Sequence, residues 1–239
     1  HGLLEKTGKL KHFNARKYIA INEHIYNYLI ENKISSKNNI KFIRCGIPVP
    51  ETIPAKNLSR IKVIAASRFT YEKGLDLFIK AVNKLNPEIK KKADFYIAGE
   101  GELKSNLLNL NKETGANISF LGYVKDMYKL LSMSHIFVYP SRSGTEGFPA
   151  VITEAGANGL LVISSNFRGV ESVISHKENG IIFKSEDYID LSKKLSSAID
   201  KYKSHSPLAE NFYKRVTHWY SLELMIKKHI ELYRECLER

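Results

Sequence analysis

Two apolar patterns alternate along this chain. Short, nearly continuous apolar runs predict buried strands at Lys17–Asn22, Ile40–Arg44, Ile61–Ser67, Phe95–Ala98, Ile118–Leu121, His135–Tyr139, Leu161–Ser164 and Ile181–Phe183. Stretches predicted as helices fall between or after them: Glu23–Asn32, Gly74–Leu85, Glu102–Glu113, Lys125–Met133, Phe148–Ala157 and a long amphipathic Asp187–Lys203. A last helix is expected at Ser221–Leu237, where Leu222, Met225, Ile226, His229, Ile230 and Tyr233 recur at three- and four-residue spacing. Continuously apolar strands alternating with helices predict an α/β fold, a Rossmann-like doubly wound parallel sheet covered on both faces. Such sheets take ligands beyond the carboxyl ends of their strands, where strand order reverses, so the loops that follow strands are the places to look for chemistry.

One break interrupts the alternation. Gly46, Pro48, Pro50 and Pro54 crowd a short stretch that continues neither a helix nor a central strand. Residues 46–60 are therefore expected to be a linker, with 1–45 as one unit, 61–220 as the Rossmann-like lobe and 221–239 as a terminal helix.

Composition narrows the partners. The chain has 239 residues, 43% hydrophobic and 26% charged, as in a soluble globular protein. It carries 37 basic against 25 acidic residues, a formal net charge of +12, which favours anionic partners. Runs such as Lys90–Lys92 or Lys193–Lys194 read first as solvated faces, and an anionic membrane surface is the main alternative. Nucleic acid is not expected, because no helix-turn-helix, zinc or RNA-recognition signature accompanies the charge. Cys45 and Cys236 make neither a metal-ligand spacing nor a disulfide framework and fit a reducing compartment. No apolar run approaches the ~20 residues of a membrane span, and no signal peptide is read at the start. Walker A, H-E-x-x-H and G-x-S-x-G motifs are missing from the sequence. So is D-x-D, which argues against a donor held through a divalent metal.

Four loops after strands remain as candidates. In Ser67–Gly74 (SRFTYEKG), Arg68 and Lys73 place a planar fork and a point charge where a diphosphate would lie, although the same spacing also occurs in plain polar turns. In the stretch from Thr145 to Glu154 (TEGFPAVITE), Gly144 and Gly147 permit close approach of a ligand to the backbone. Pro149 suits the first turn of a helix after Phe148, and the N–H groups there face an anion. Glu154 stands about 7–8 Å along that helix, the reach from a diphosphate to its ribose, whose two hydroxyls a carboxylate accepts; a solvent-facing glutamate is the bland alternative. Gly99-Glu100-Gly101 lacks the third glycine of a dinucleotide fingerprint, since Lys104 stands there. Gly122-Tyr123 offers main chain and an aromatic to a base. Simple turns explain these last two equally well.

In this order, S-R-F-T-Y-E-K-G, I-A-G-E-G-E-L, F-L-G-Y-V, V-Y-P-S, E-G-F-P-A-V-I-T-E-A-G-A-N-G-L-L-V-I-S, G-V-E-S-V-I and E-N-G-I-I-F resemble the retaining family 4 glycosyltransferases of the two-lobed GT-B architecture. Glu146 and Glu154 have the separation of that family's E-x7-E motif. The resemblance implies transfer of a sugar from a UDP- or GDP-sugar to a hydroxyl of a glycan or lipid-linked acceptor, with retention and no further cofactor. It implies that Arg68 and Lys73 bind the diphosphate and act in catalysis, that Glu146 lies against the donor sugar, and that Glu154 takes the ribose. Backbone at Gly147, Phe148 and Pro149 would contact sugar or phosphate, and Gly122 and Tyr123 the base. It implies a cytoplasmic enzyme, with the inner face of the membrane as an expected location for a lipid-linked acceptor. A GT-B sugar-nucleotide epimerase is the alternative within the fold. Three positions depart from the family pattern: Cys45 stands where asparagine is usual, Gly156 interrupts a helix, and Leu161 replaces a common proline. Residues 1–45 match only the last part of an N-terminal acceptor lobe, so the expectation is a chain that binds donor but transfers sugar poorly.

Overall fold

The structure, a computed structural model, describes residues 15–142 and 148–238. It opens with a small layer in which β1 (Tyr18–Ala20) and β2 (Ile40–Phe42) pair in parallel beside helix α1 (Glu23–Glu31). Asn22 caps α1 by accepting the Ile25 N–H at 2.8 Å. The main sheet follows: β3 (Ile61–Ala66), β4 (Ala93–Ala98), β5 (Ser119–Gly122), β6 (Ile136–Tyr139), β7 (Leu161–Ser165) and β8 (Ile181–Phe183). Every pairing is parallel, in the order β5-β4-β3-β6-β7-β8. This is the doubly wound sheet that the sequence predicts, and its order reverses between β3 and β6.

The inner strands are largely apolar because both their faces are covered, whereas the edge strand β5 is partly exposed. Val63, Ala65, Ile136, Val138, Leu161 and Ile163 point into one core, beneath α2 (Leu75–Asn83), α4 (Lys104–Thr114) and α7 (Tyr188–Asp200). Their neighbours Ile64, Ala66, Phe137, Tyr139 and Val162 point into the other, under α5 (Met127–Ser132), α6 (Ala150–Ala157) and α8 (Tyr202–Trp219). A short α3 (Pro87–Lys91) precedes β4, and α9 (Leu222–Leu237) ends the described chain. Among the described residues no helix is long and apolar enough to cross a membrane.

Two helices escape the apolar pattern. Asn86 caps α3, and Pro87 starts it, but five residues are too few to show a period. The predicted Asp187–Lys203 helix is in fact two: α7 ends at Asp200, Lys201 leaves helical geometry, and α8 begins at Tyr202. Pro207 and a polar opening turn mask α8 in the sequence, yet it buries Ala209, Phe212 and Val216 on one face. That packing explains the odd glycine in α6. A Cβ on Gly156 would stand 2.7 Å from the Phe212 ring, so the helix gives up propensity to let α8 approach. Cys45 is half-buried, and burial pushes its thiol up. Beside it, Gly46 meets the α9 backbone, where a Cβ would lie 2.8 Å from the Leu222 Cα. There Ile47 exchanges hydrogen bonds of 2.8 and 2.9 Å with Tyr220 and Leu222.

Phe212 is fully buried. Phe212→Ala is expected to cost about 3–5 kcal/mol in urea unfolding, and a loss below about 1 kcal/mol would show that α8 does not hold this face.

Candidate functional site

The rule for doubly wound sheets puts the ligand crevice beyond the carboxyl ends of β3 and β6, where the loops that follow these strands meet. After β3 the chain runs through Ser67–Thr70, a 3-10 turn (Tyr71–Lys73), and Gly74 in the left-handed region at φ 63°. Any side chain at Gly74 would overlap the Pro140 carbonyl, which follows β6, so glycine is what lets the two loops touch. Across this contact the Glu72 carbonyl accepts the Arg142 N–H at 2.7 Å and the Ser141 hydroxyl at 3.1 Å.

Charge locks the seam further. Arg142 is bidentate to Asp76 at 2.7 and 2.8 Å, donates from Nε to Glu186 at 2.8 Å, and from Nη1 to the Tyr71 carbonyl at 3.0 Å. Its guanidinium also lies 4.4 Å from the centre of the Tyr71 ring. Only 8% of the Arg142 side chain and 27% of the Asp76 side chain are exposed, so water screens this pair only in part. Burial raises the Asp76 carboxyl, but hydrogen bonds from Arg142 and Lys80 outweigh it and leave the acid below its ordinary value. Loops after β3, β6 and β8 are thus pinned by one side chain.

Within this frame Lys73 donates to the Tyr139 hydroxyl at 3.3 Å, and its ammonium is 5.7 Å from the ring centre. Tyr139 is buried at the very end of β6. The lysine of one loop therefore reaches the carboxyl end of the strand across the reversal. Arg68 is exposed in the same loop, and its carbonyl accepts from the Thr70 N–H at 3.0 Å. Glu154 is half-buried in the second turn of α6, and burial raises its carboxyl. Pro149 stands at the cap of α6 rather than inside it, and Ala150 N–H returns to the Phe148 carbonyl at 3.0 Å. Phe148 stacks on Tyr220, ring centres 5.6 Å apart and planes at 26°. Residues Glu146 and Gly147 lie outside the described residues.

The Gly99-Glu100-Gly101 turn has a packing role. Phe69 N–H donates to the Glu100 carbonyl at 2.8 Å and Leu103 N–H to the Phe69 carbonyl at 3.0 Å. A Cβ at Gly101 would sit 2.7 Å from the Phe69 nitrogen. Gly99 N–H in turn donates to the Gly122 carbonyl at 2.8 Å, placing Gly122 and the exposed Tyr123 beside this turn. Sequence reasoning missed Tyr139, Asp76 and Arg142. V-Y-P-S-R after a strand was the available signal, but their pairing spans some sixty residues and leaves no local spacing to read. Among the described residues no group of three or more His, Cys, Asp or Glu side chains is placed to hold a metal.

A parallel six-stranded sheet with its loops gathered at a strand-order reversal is the Rossmann-like lobe of the GT-B architecture. The family model of the group 1 glycosyl transferases matches residues 51–215, and the chain belongs to that family. Among curated proteins, it is 31% identical over 165 residues to the phosphatidylinositol N-acetylglucosaminyltransferase gpi3 subunit of Schizosaccharomyces pombe, covering 67% of this chain and 35% of that one. It is 27% identical over 240 residues to the N,N'-diacetylbacillosaminyl-diphospho-undecaprenol alpha-1,3-N-acetylgalactosaminyltransferase of Campylobacter jejuni, covering 94% and 62%. The chain thus spans about a third to two thirds of the length of these relatives. Anabaena HepE, solved in complex with UDP, superposes with a TM-score of 0.80 at 17% identity, over 92% of this chain and 64% of that one. A glycosyltransferase from Rickettsia africae superposes with a TM-score of 0.76 at 23% identity, over 100% and 68%.

Asp76→Asn is expected to lower stability by about 1.5–3 kcal/mol at neutral pH. Because the Asp76 pKa is depressed in the folded protein, the gap to wild type is complete above the ordinary aspartate value of about 3.9 and closes as pH falls through the lower folded value. Urea titrations at several pH values check this; a gap independent of pH would contradict the ion pair.

Proposed function

We propose that this chain is the donor-binding lobe of a retaining, family 4 type glycosyltransferase, which moves a sugar from a UDP- or GDP-sugar to a hydroxyl without a metal. The observation that carries the reading is Lys73, held against Tyr139 at the strand-order reversal by a glycine contact and a shared ion-pair seam. In this reading the donor diphosphate lies between the Arg68 guanidinium and the Lys73 ammonium. Charge grows on the leaving diphosphate as the glycosidic bond breaks and the sugar becomes oxocarbenium-like. Cations already fixed in place stabilise that charge more than the ground state, by about 3–4 kcal/mol for each such interaction.

Glu154 takes the ribose. Its carboxyl is half-buried and raised by that burial, an unfavourable state that two donated hydroxyl hydrogen bonds relieve. Glu146 lies against the donor sugar, the backbone at Gly147, Phe148 and Pro149 contacts sugar or phosphate, and Gly122 and Tyr123 lie near the base. Support comes from the family match and from the likeness in fold to a protein solved in complex with UDP. The acceptor is proposed to be a glycan or lipid-linked sugar, supported by a relative named for transfer to an undecaprenol-linked substrate. A net charge of +12 suits work at the anionic inner face of a membrane from the cytoplasmic side.

Calorimetry with UDP and GDP tests the reading. Lys73→Ala and Arg68→Ala are each expected to weaken the preferred diphosphate by about ten- to a hundredfold, the worth of a charge-assisted hydrogen bond. Unchanged affinity in both variants would sink the assignment. Glu154→Gln should weaken UDP but leave the affinity for 2′,3′-dideoxy-UDP unaltered; equal losses for the two ligands would remove Glu154 from the ribose.

A further inference from the structure

At the opposite end of the sheet lies a second cleft, of about 600 Å³, that the donor site does not use. It opens between the segment before β3 and helix α8. Its walls are largely apolar: Ile53, Pro54 and Leu58 on one side, Ala209 and the rings of Tyr202 and Tyr213 on the other. The Tyr213 hydroxyl holds the first wall in place, within 2.7 Å of the Pro50 carbonyl and 2.9 Å of the Glu51 carbonyl. Gly159 forms part of the lining, and its missing side chain leaves room for Ile53, which a Cβ there would overlap.

Of the two lysines that line this space, Lys56 is half-buried and Lys214 exposed. The Lys56 ammonium donates to the Gly159 carbonyl at 3.2 Å, its one polar contact among the described residues. The other charged and titratable groups around it do not neutralise it. Glu51, Glu210 and Lys214 stand exposed at the rim, and among the described residues neither glutamate forms an ion pair with Lys56. His135, at the amino end of β6, accepts the Lys62 N–H on Nδ1 at 3.0 Å and so carries its proton on Nε2, 3.0 Å from the Asn57 carbonyl. Burial and the neighbouring Lys56 and Lys62 charges hold that ring below its ordinary value, hence neutral. Tyr202, its ring edge-on to His135 at 5.4 Å, is pushed up to about 12 by burial and stays protonated.

We propose that this cleft binds a small apolar acid, a carboxylate or sulfonate borne on an aromatic or aliphatic body, with Lys56 as its counter-ion. The apolar body would cover the tyrosine rings and the Ile53–Pro54 wall, and the anion would supply the charge partner that Lys56 lacks. Burial has lowered the amine to about 7, so a docking anion draws a proton onto it. Binding therefore takes up a proton and weakens as pH rises above that value.

The test titrates 8-anilinonaphthalene-1-sulfonate, whose sulfonate stays ionised throughout, into the protein at pH 7 and pH 9 and follows its fluorescence. Affinity is expected to fall about tenfold or more between the two. Lys56→Met should lower the pH 7 affinity to the wild-type pH 9 level and abolish the pH dependence, whereas Lys56→Arg should hold the affinity through pH 9. Circular dichroism verifies that both variants fold. Saturating UDP should leave every titration unchanged, which separates this cleft from the crevice at the other end of the sheet. Wild-type affinity that is flat with pH, Lys56→Met binding as tightly as wild type, or displacement of the dye by UDP would each overturn the proposal.

Discussion

The arrangement depends on a seam between two loops that are far apart in sequence. The loop after β3 and the loop after β6 meet where strand order reverses, and neither has a regular ladder to fix it there. Instead, the missing side chain of Gly74 admits the Pro140 carbonyl, and the nearly buried Arg142 side chain joins Asp76, Glu186 and the Tyr71 carbonyl. A buried ion pair of this kind repays its desolvation only when geometry is good and remaining donors are used. Here Nε, Nη1 and Nη2 of Arg142 all find acceptors. The cluster's worth lies in position, because it sets the register of the two crevice walls and brings Lys73 to Tyr139.

Much of this was readable from the residues and some was not. The inner strands from Ile61 onwards were legible because both their faces are largely buried, which makes each a mostly apolar run. Arg68, Lys73 and Glu154 stood out because the doubly wound class tells the reader where to look. Helix α8 was hidden by Pro207 and its polar first turn, and its packing partner Gly156 looked like a defect until Phe212 was seen lying on it. The Asp76–Arg142 pair was invisible for another reason. Each residue is ordinary within its own loop, and only the fold makes them neighbours.

The two ends of the sheet have different characters. At the carboxyl end, glycines and charged side chains crowd loops that approach one another closely, as a site for a highly charged ligand requires. At the amino end, a largely apolar cleft holds the half-buried Lys56, whose amine burial lowers to about 7. Both follow from one topology. Parallel strands send every strand-to-helix loop to one end and every helix-to-strand loop to the other, so chemistry at either end evolves without disturbing the core between them.

The most direct measurement is a crystal structure of this chain with UDP bound. The account predicts a diphosphate within hydrogen-bonding distance of both Arg68 and Lys73, at the reversal between β3 and β6, with the ribose hydroxyls on Glu154. A diphosphate elsewhere on the surface, or one at the crevice that leaves Lys73 on Tyr139 and Glu154 untouched, would contradict it.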